Sequence, residues 1–352
     1  MTSNVAIIIS LIVAFAVTGA LGFIIIPWLR KLKFGQTILD IGPSWHKSKQ
    51  GTPNMGGLMF IIGIIAAFAV GALTFYLSGG SLESSYSAVM PNREKVLLIA
   101  GICLSLGAGI VGFTDDFIKI KLKRNEGLSP KQKTLGQLII TLGYILTLWL
   151  SHNTTWYMPF IGQVNFEKNI FTAIIFWVLS IFIIYGTINS VNLTDGIDGL
   201  CSSVTCTVAV TFIVIAGYQG FAGMGIMAGA LLGGMLGFLC WNWNPAKTFM
   251  GDTGSLFLGG MVASLGYMMK CPILLIFIGI VYVCETMSDI IQIGYFKITH
   301  GKRIFKMAPI HHHFEMCGWK EKKICIVFSI VNIIGCIIGA LLLYYGNFKG
   351  IV

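Results

Sequence analysis

The chain has 352 residues, 55% of them hydrophobic and only 11% charged. A water-soluble domain carries about 25% charged residues, so a soluble globule of this length would lack the polar surface to cover its core. The net charge of +10 would suggest nucleic acid in a soluble protein. In a membrane protein, basic residues instead gather in cytoplasmic loops, and nucleic acid is excluded as a partner.

A spanning helix needs about 20 largely apolar residues. Ten segments qualify, near 5–27, 55–77, 95–114, 134–151, 170–189, 197–217, 222–241, 253–269, 273–296 and 323–346. The first has no basic region before it and is long enough to span, so it reads as a helix and not as a cleavable signal. The predicted fold is an all-α integral membrane protein with about ten transmembrane helices. No repeat or low-complexity tract divides residues 1–352, which read as one transmembrane catalytic domain.

Ten spans sort the loops into two sets. Segments 28–54, 115–133, 190–196, 242–252 and 297–322, with Lys323, hold 19 of the 24 Lys and Arg residues. The positive-inside rule places this set in the cytoplasm and both termini outside. The outer loop Trp156–Glu167 has a Gly turn between β-prone stretches and predicts a small hairpin. The nine cysteines form no C-x-x-C pair. Cys103, Cys206, Cys240 and Cys284 lie in apolar runs and read as small buried apolar residues.

All seven aspartates, Asp40, Asp115, Asp116, Asp195, Asp198, Asp252 and Asp289, fall in cytoplasmic loops, at helix ends, or two turns into the ninth helix. Ionisable groups at membrane depth are costly and mark functional sites. Carboxylates ringed by lysines suit a metal ion and phosphates.

Four segments carry this pattern. In GFTDDF, Asp115 and Asp116 end the third predicted helix, where the helix dipole disfavours an acidic pair. In NSVNLTDGIDGL, Asp195 and Asp198 would share a face if helical; Asn192, Thr194 and Asp195 also suit plain N-caps, and Gly196 admits a close ligand. In NWNPAKTFMGDTGS, Asp252 stands at a helix start, where free N–H groups favour phosphate. KMAPIHHHFE has three adjacent histidines, which point in different directions on a helix and lack the partner spacing of a zinc site; binding phosphate or positioning a substrate fits them better. The basic, Gly-rich loop HKSKQGTPNMGG and the loop 119–133 could hold phosphate or lipid headgroups.

Taken together, GTPxMGG, FxDDF, NLTDGxDGL, NPAxxFMGDTGS and PIHHHFE, in this order over the whole chain, resemble the polyprenyl-phosphate N-acetylhexosamine-1-phosphate transferases. PIHHHFE and ETMSDIIQIGYFK point to the muramoyl-pentapeptide branch. The resemblance implies UDP-N-acetylmuramoyl-pentapeptide as donor, undecaprenyl phosphate as acceptor, Mg²⁺ as cofactor, and UMP and lipid I of peptidoglycan synthesis as products. It implies catalytic roles for Asp115, Asp116, Asp252 and His311, the three aspartates also as metal ligands.

It further implies substrate contacts for Asn192, Asp195, Gly196, Asp198, Asn242 and Phe249 around the uridine, and for Gln292, His312 and His313 in the same cleft. Lys47, Thr52 and Lys131 match the lipid-phosphate or diphosphate site. Asn54 and Asp289 depart from the family, which often has Thr and an aliphatic residue there. Asp115 as base or as metal ligand, and one-step or covalent transfer, both stay open. So do a sister N-acetylglucosamine-1-phosphate transferase, a nucleotide-sugar transporter and a homodimer.

Overall fold

The structure is a computed structural model describing residues 1–32, 49–84, 93–122, 124 and 126–346. Lys47, His46 and Asp40 lie outside the described residues. The helices are α1 (Ser3–Lys31), α2 (Gly57–Leu77), α3 (Arg93–Lys121), α4 (Pro130–Leu150), α5 (Ile170–Thr194), α6 (Leu200–Gln219), α7 (Ala222–Asn242), α8 (Gly251–Met268), α9 (Leu275–Ile278), α10 (Ile280–Ile298), α11 (Ile310–Met316) and α12 (Glu321–Tyr345). Strands β1 (Thr155–Met158) and β2 (Gly162–Asn165) form the expected hairpin, antiparallel with Thr155 opposite Asn165.

Among the described residues, eight helices are long and apolar enough to span, and the bent pair Pro272–Ile278 and Ile280–Ile298 brings the number to nine if it counts as one span. The molecule is a multi-pass membrane protein. Its eighth expected span, α8, does not pass this test. The physical reason is its position: every residue from Thr253 to Met268 is buried, so α8 has no lipid-facing side to make apolar. Helices in a bilayer associate through small residues that let backbones approach. A Cβ at Gly259 would strike the Ile188 backbone of α5, and one at Gly260 the Ser105 backbone of α3.

The ninth expected helix bends by 85° between α9 and α10. A break inside a membrane frees backbone groups that must find partners. Asn332 of α12, wholly buried, supplies them. Its Oδ1 accepts from the Val281 N–H at 3.3 Å, and its Nδ2 donates to the Ile278 carbonyl at 3.1 Å and to Thr207 Oγ1 at 2.7 Å. An ordinary interhelical bond in a bilayer averages only ~0.6 kcal/mol. Orphaned buried groups cost more, about 1–3 kcal/mol each. Asn332→Leu is therefore expected to lower the unfolding temperature in detergent by several degrees, read by thermal denaturation.

Helix ends moved in two functional places. α3 runs on to Lys121, so Asp115 and Asp116 sit inside its last two turns, not at its end. α5 runs to Thr194, so Asn192 and Thr194 are helical, Asp195 follows α5 at its C-terminal cap, and Gly199 precedes α6. Thus Asp195 and Asp198 flank a turn and share no helix face. The nine cysteines are free, and Cys103, Cys240 and Cys284 are exposed on the outside of the bundle and not buried. An apolar outer surface toward lipid tolerates them as well as a core does.

Candidate active site

The site begins at Gly251. Its φ of +69° turns the chain into α8, and a Cβ there would press on Asn54 and Asp116. At Gly112, a Cβ would overlap the Asp252 carbonyl. The absence of side chains at both positions lets α3 meet the start of α8. One oxygen from each of Asp115, Asp116 and Asp252 then falls within 4.8 Å of the others.

Each carboxylate has a distinct environment. Asp116 is fully buried; its Oδ2 accepts from Thr253 N at 2.9 Å and Thr253 Oγ1 at 2.7 Å. Its Oδ1 accepts from Asn54 Nδ2 at 3.2 Å. Asp116 thus caps the N-terminus of α8 from a neighbouring helix, where the dipole favours a negative charge. Asp115 Oδ1 accepts from Leu128 N at 2.8 Å, while Oδ2 meets Lys119 Nζ at 2.6 Å. Asp252 Oδ1 accepts from Asn192 Nδ2 at 2.7 Å. Its Oδ2 lies 2.8 Å from Lys119 Nζ and 3.1 Å from Lys133 Nζ.

Three converging carboxylates offer hard oxygen donors and no sulfur, a set suited to a hard divalent cation. The half-buried Asp252 keeps one side of the cluster accessible. The residues present fit such an ion. Lys119 and Lys133 already answer part of this negative charge.

Lys119 and Lys133 were not singled out as site residues in the sequence. Lys119 was readable, because it stands four residues after Asp115 on one helix face. Lys133 was not distinguishable from Lys131, which is exposed on the first turn of α4 with no ion pair among the described residues.

The Asp195 carboxyl is half-buried at the end of α5. Burial, reinforced by the negative charges of Asp252, Asp116 and Asp198, pushes its pKa up to about 8. The folded, metal-free protein therefore holds a proton on Asp195 between about pH 4 and pH 8 that the unfolded chain has lost. Stability must fall as pH rises through that window. The thermal midpoint of metal-free Asp195→Asn should gain on wild type between pH 5 and pH 8, as a melting series at fixed ionic strength would read. A constant difference across the series would contradict it.

Asp198 belongs to a second, structural network. Its Oδ1 meets Lys49 Nζ at 2.7 Å, and its Oδ2 accepts from Ala246 N at 2.9 Å and Asn244 Nδ2 at 3.3 Å. Lys49 also reaches Glu321 Oε1 at 2.6 Å. Burial alone would lower the Lys49 pKa, but the two carboxylates outweigh it and hold it raised. Asn242 is equally occupied: Oδ1 accepts from Gly199 N and Ser202 Oγ, and Nδ2 donates to the Thr248 carbonyl.

Phe249 is laced to the loop before α2. Its N–H donates to the Pro53 carbonyl and its carbonyl accepts from Gly56, both at 2.8 Å. Thr52, half-buried, lies next to that junction and donates through its N–H to the Lys49 carbonyl.

The three histidines diverge as their spacing required. His311 is buried, with Nδ1 2.9 Å from Glu285 Oε2. His312 Nδ1 meets Glu315 Oε2 at 2.6 Å, and His313 Nδ1 accepts from Lys306 N at 3.1 Å. Gln292 accepts from Ile304 N and Phe305 N and donates to the Phe305 carbonyl. Gln292 and His313 thus brace the loop before α11. A Cβ on Gly196 would overlap His311 Nε2, so the start of α11 and the Asn192–Asp198 turn touch.

A helical membrane bundle with a carboxylate cluster and two lysines at one end of a central helix defines the class: a membrane transferase of glycosyl transferase family 4, whose family model matches residues 98–270. Relatives resolve the branch. A phospho-N-acetylmuramoyl-pentapeptide-transferase of Desulforamulus reducens is 43% identical over 94% of this chain and 93% of its own. Those of Clostridium perfringens (44% identical, 94% of this chain and 97% of its own) and Bacillus mycoides (42%, 93% and 94%) agree. The chain belongs to the phospho-N-acetylmuramoyl-pentapeptide transferase family, and is an enzyme that transfers a phospho-sugar.

Proposed function

We propose that the enzyme transfers phospho-N-acetylmuramoyl-pentapeptide from UDP-N-acetylmuramoyl-pentapeptide to undecaprenyl phosphate, releasing UMP and forming lipid I. The observation that carries this reading is the Asp115/Asp116/Asp252 clasp with Lys119 and Lys133 on it. Residues 1–352 act as one catalytic domain of ten spans, counting α8 and the bent α9–α10 pair. Both termini face outward, and the clasp lies at the cytoplasmic face, where the basic loops gather.

Asp115, Asp116 and Asp252 would hold Mg²⁺, and Asp116 also supports Asp252 through the start of α8. That ion would supply charge neutralisation for the diphosphate and the departing UMP. A phosphate oxygen is already anionic at neutral pH, so the chain's task is positioning and electrostatics more than base strength. Lys119 and Lys133 neutralise phosphoryl oxygens at the edge of the clasp. Asn192 aligns Asp252 while Asp195, Gly196 and Phe249 border the nucleotide; Asp198, Asn242, Gln292 and His313 keep the surrounding loops in place. Thr52, together with Lys47, would bind the acceptor phosphate.

The acceptor's tail needs an apolar path. A cleft of about 270 Å³ lies between α5, α8 and the bent helix, lined by Phe182, Ile183, Val262, Ile276 and Tyr282. Ser190 and Thr286, 2.7 Å apart, supply polar groups in its wall, and Ser190 stands two residues before Asn192.

Purified enzyme in detergent should release UMP only with both substrates and a divalent metal. Release with UDP-N-acetylglucosamine instead would move the enzyme to the sister branch, and silence with both donors would sink the transferase reading. Lys133→Met is expected to lower kcat about 10- to 100-fold, and Lys131→Met less than about 3-fold. Equal losses in this steady-state comparison would remove Lys133 from the site.

A further inference from the structure

We propose that Glu285 is a positioning residue that fixes the proton of His311 on Nδ1 and thereby presents Nε2 to the polar part of the nucleotide-sugar donor beside Gly196. The inference rests on the transferase reading above and assigns a residue that the reading leaves without a role.

Glu285 sits in α10 with no exposure at all, in a segment that is apolar on its membrane side. A buried carboxylate needs a compensating donor. Only one residue supplies it among the described residues: Oε2 lies 2.9 Å from His311 Nδ1 and accepts from the His311 backbone N–H at 3.4 Å. A carboxylate accepts and cannot donate, so the proton between them belongs to Nδ1. The opposite ring nitrogen is then the free one, since the hydrogen bond at one nitrogen sets the state of the other.

That free atom is well placed. His311 Nε2 is buried and has no partner among the described residues. It rests against the α-carbon of Gly196, where a Cβ would overlap it. Gly196 is itself exposed, and its neighbour Asp195 lies within the field of Asp252 and Asp116. A methyl group at 196 would overlap Nε2; without it, the buried ring nitrogen lies directly beneath the exposed Gly196, at the rim of the nucleotide site proposed above. Glu285 thus reaches the donor through His311, from a helix that also walls the apolar cleft.

Other charged groups face the ring. Asp289, one turn along α10, lies within electrostatic reach of it. The His312 ring packs at 4.1 Å from that of His311, and His312 is held by Glu315. Neither Asp289 nor Glu315 contacts Nδ1, so the tautomer is set by Glu285.

The test is a cycle of Glu285→Met, His311→Ala and the double variant, with Glu285→Gln as the conservative change. Gln still accepts from Nδ1–H; Met fills the same space and does not. UMP release should fall about 10- to 100-fold in kcat for Glu285→Met, the scale seen when a working histidine loses the carboxylate that orients it, with the donor KM changed far less. The double variant should be no slower than His311→Ala by more than about 2-fold, because the two residues act as one unit. Glu285→Gln should recover to within about 5-fold of wild type.

A purely structural Glu285 would instead lower the unfolding temperature, and its loss would multiply with that of His311→Ala. Multiplied losses, or wild-type kcat in Glu285→Met, overturn the proposal. The ¹⁵N spectrum of histidine-labelled protein decides without turnover: His311 Nδ1 should be protonated in wild type and Glu285→Gln. A bare Nδ1 in wild type overturns the assignment even if the enzyme is active. Absence of UMP release by wild type with either sugar nucleotide overturns the transferase reading instead.

Discussion

Asp252→Asn is expected to reduce UMP release by about 1000-fold, equivalent to ~4 kcal/mol of transition-state stabilisation. Its Oδ2 is where Lys119 and Lys133 converge, and its Oδ1 is held by Asn192. The substitution preserves shape and the hydrogen-bonding capacity of one oxygen but removes the charge on which the cation and both lysines depend. The loss should therefore fall on kcat and on metal affinity together, with the unfolding temperature changed by only a few degrees. Manganese binding followed by electron paramagnetic resonance checks the metal directly. Retained manganese affinity with lost turnover would make Asp252 a substrate contact and not a ligand. Retained turnover would remove the clasp from the chemistry altogether.

The same cluster shows how far the sequence could be read. The acidic residues on one side of an apolar chain announced a charged site, and the order of the five motifs announced the family. Chemistry of that kind is local in sequence. The roles inside the site are not. Asp115 and Asp116 are adjacent and look equivalent, yet one faces Leu128 and Lys119 while the other is consumed by the start of α8. Asp195 and Asp198 look like a helical pair, yet Asp195 lies within the field of the cluster while Asp198 pairs with Lys49. Each split is decided by which helix packs alongside, and no one-dimensional pattern contains that.

The helices follow the same rule. Spans that meet lipid must be apolar around much of their surface and were legible. The helix that holds Asp252 is shielded from lipid by its neighbours, so its sequence is free to carry Gly, Ser and Thr, and its apolar signal is correspondingly weak. The bend between α9 and α10 is not local in sequence, because the residue that satisfies it, Asn332, lies 51 positions from Val281.

Asp116→Ala should separate architecture from charge. It strands the Thr253 N–H and hydroxyl and the Asn54 amide, three buried or half-buried groups that together cost about 3–5 kcal/mol. For a protein of this size that corresponds to a fall of about 10 °C in the unfolding temperature, and activity should disappear with it. Asp116→Asn has a different expected outcome. Its oxygen can still accept from Thr253, and the Asn54 amide can turn to accept from the new NH₂. Most of the thermal stability should return while UMP release stays down about 10- to 100-fold, because the cluster has lost one negative charge. Melting curves and steady-state rates on the two variants read the two effects apart. If Asp116→Asn recovers the rate as fully as it recovers the fold, Asp116 serves the site only by holding α8 against α3, and the cation rests on Asp115 and Asp252 alone.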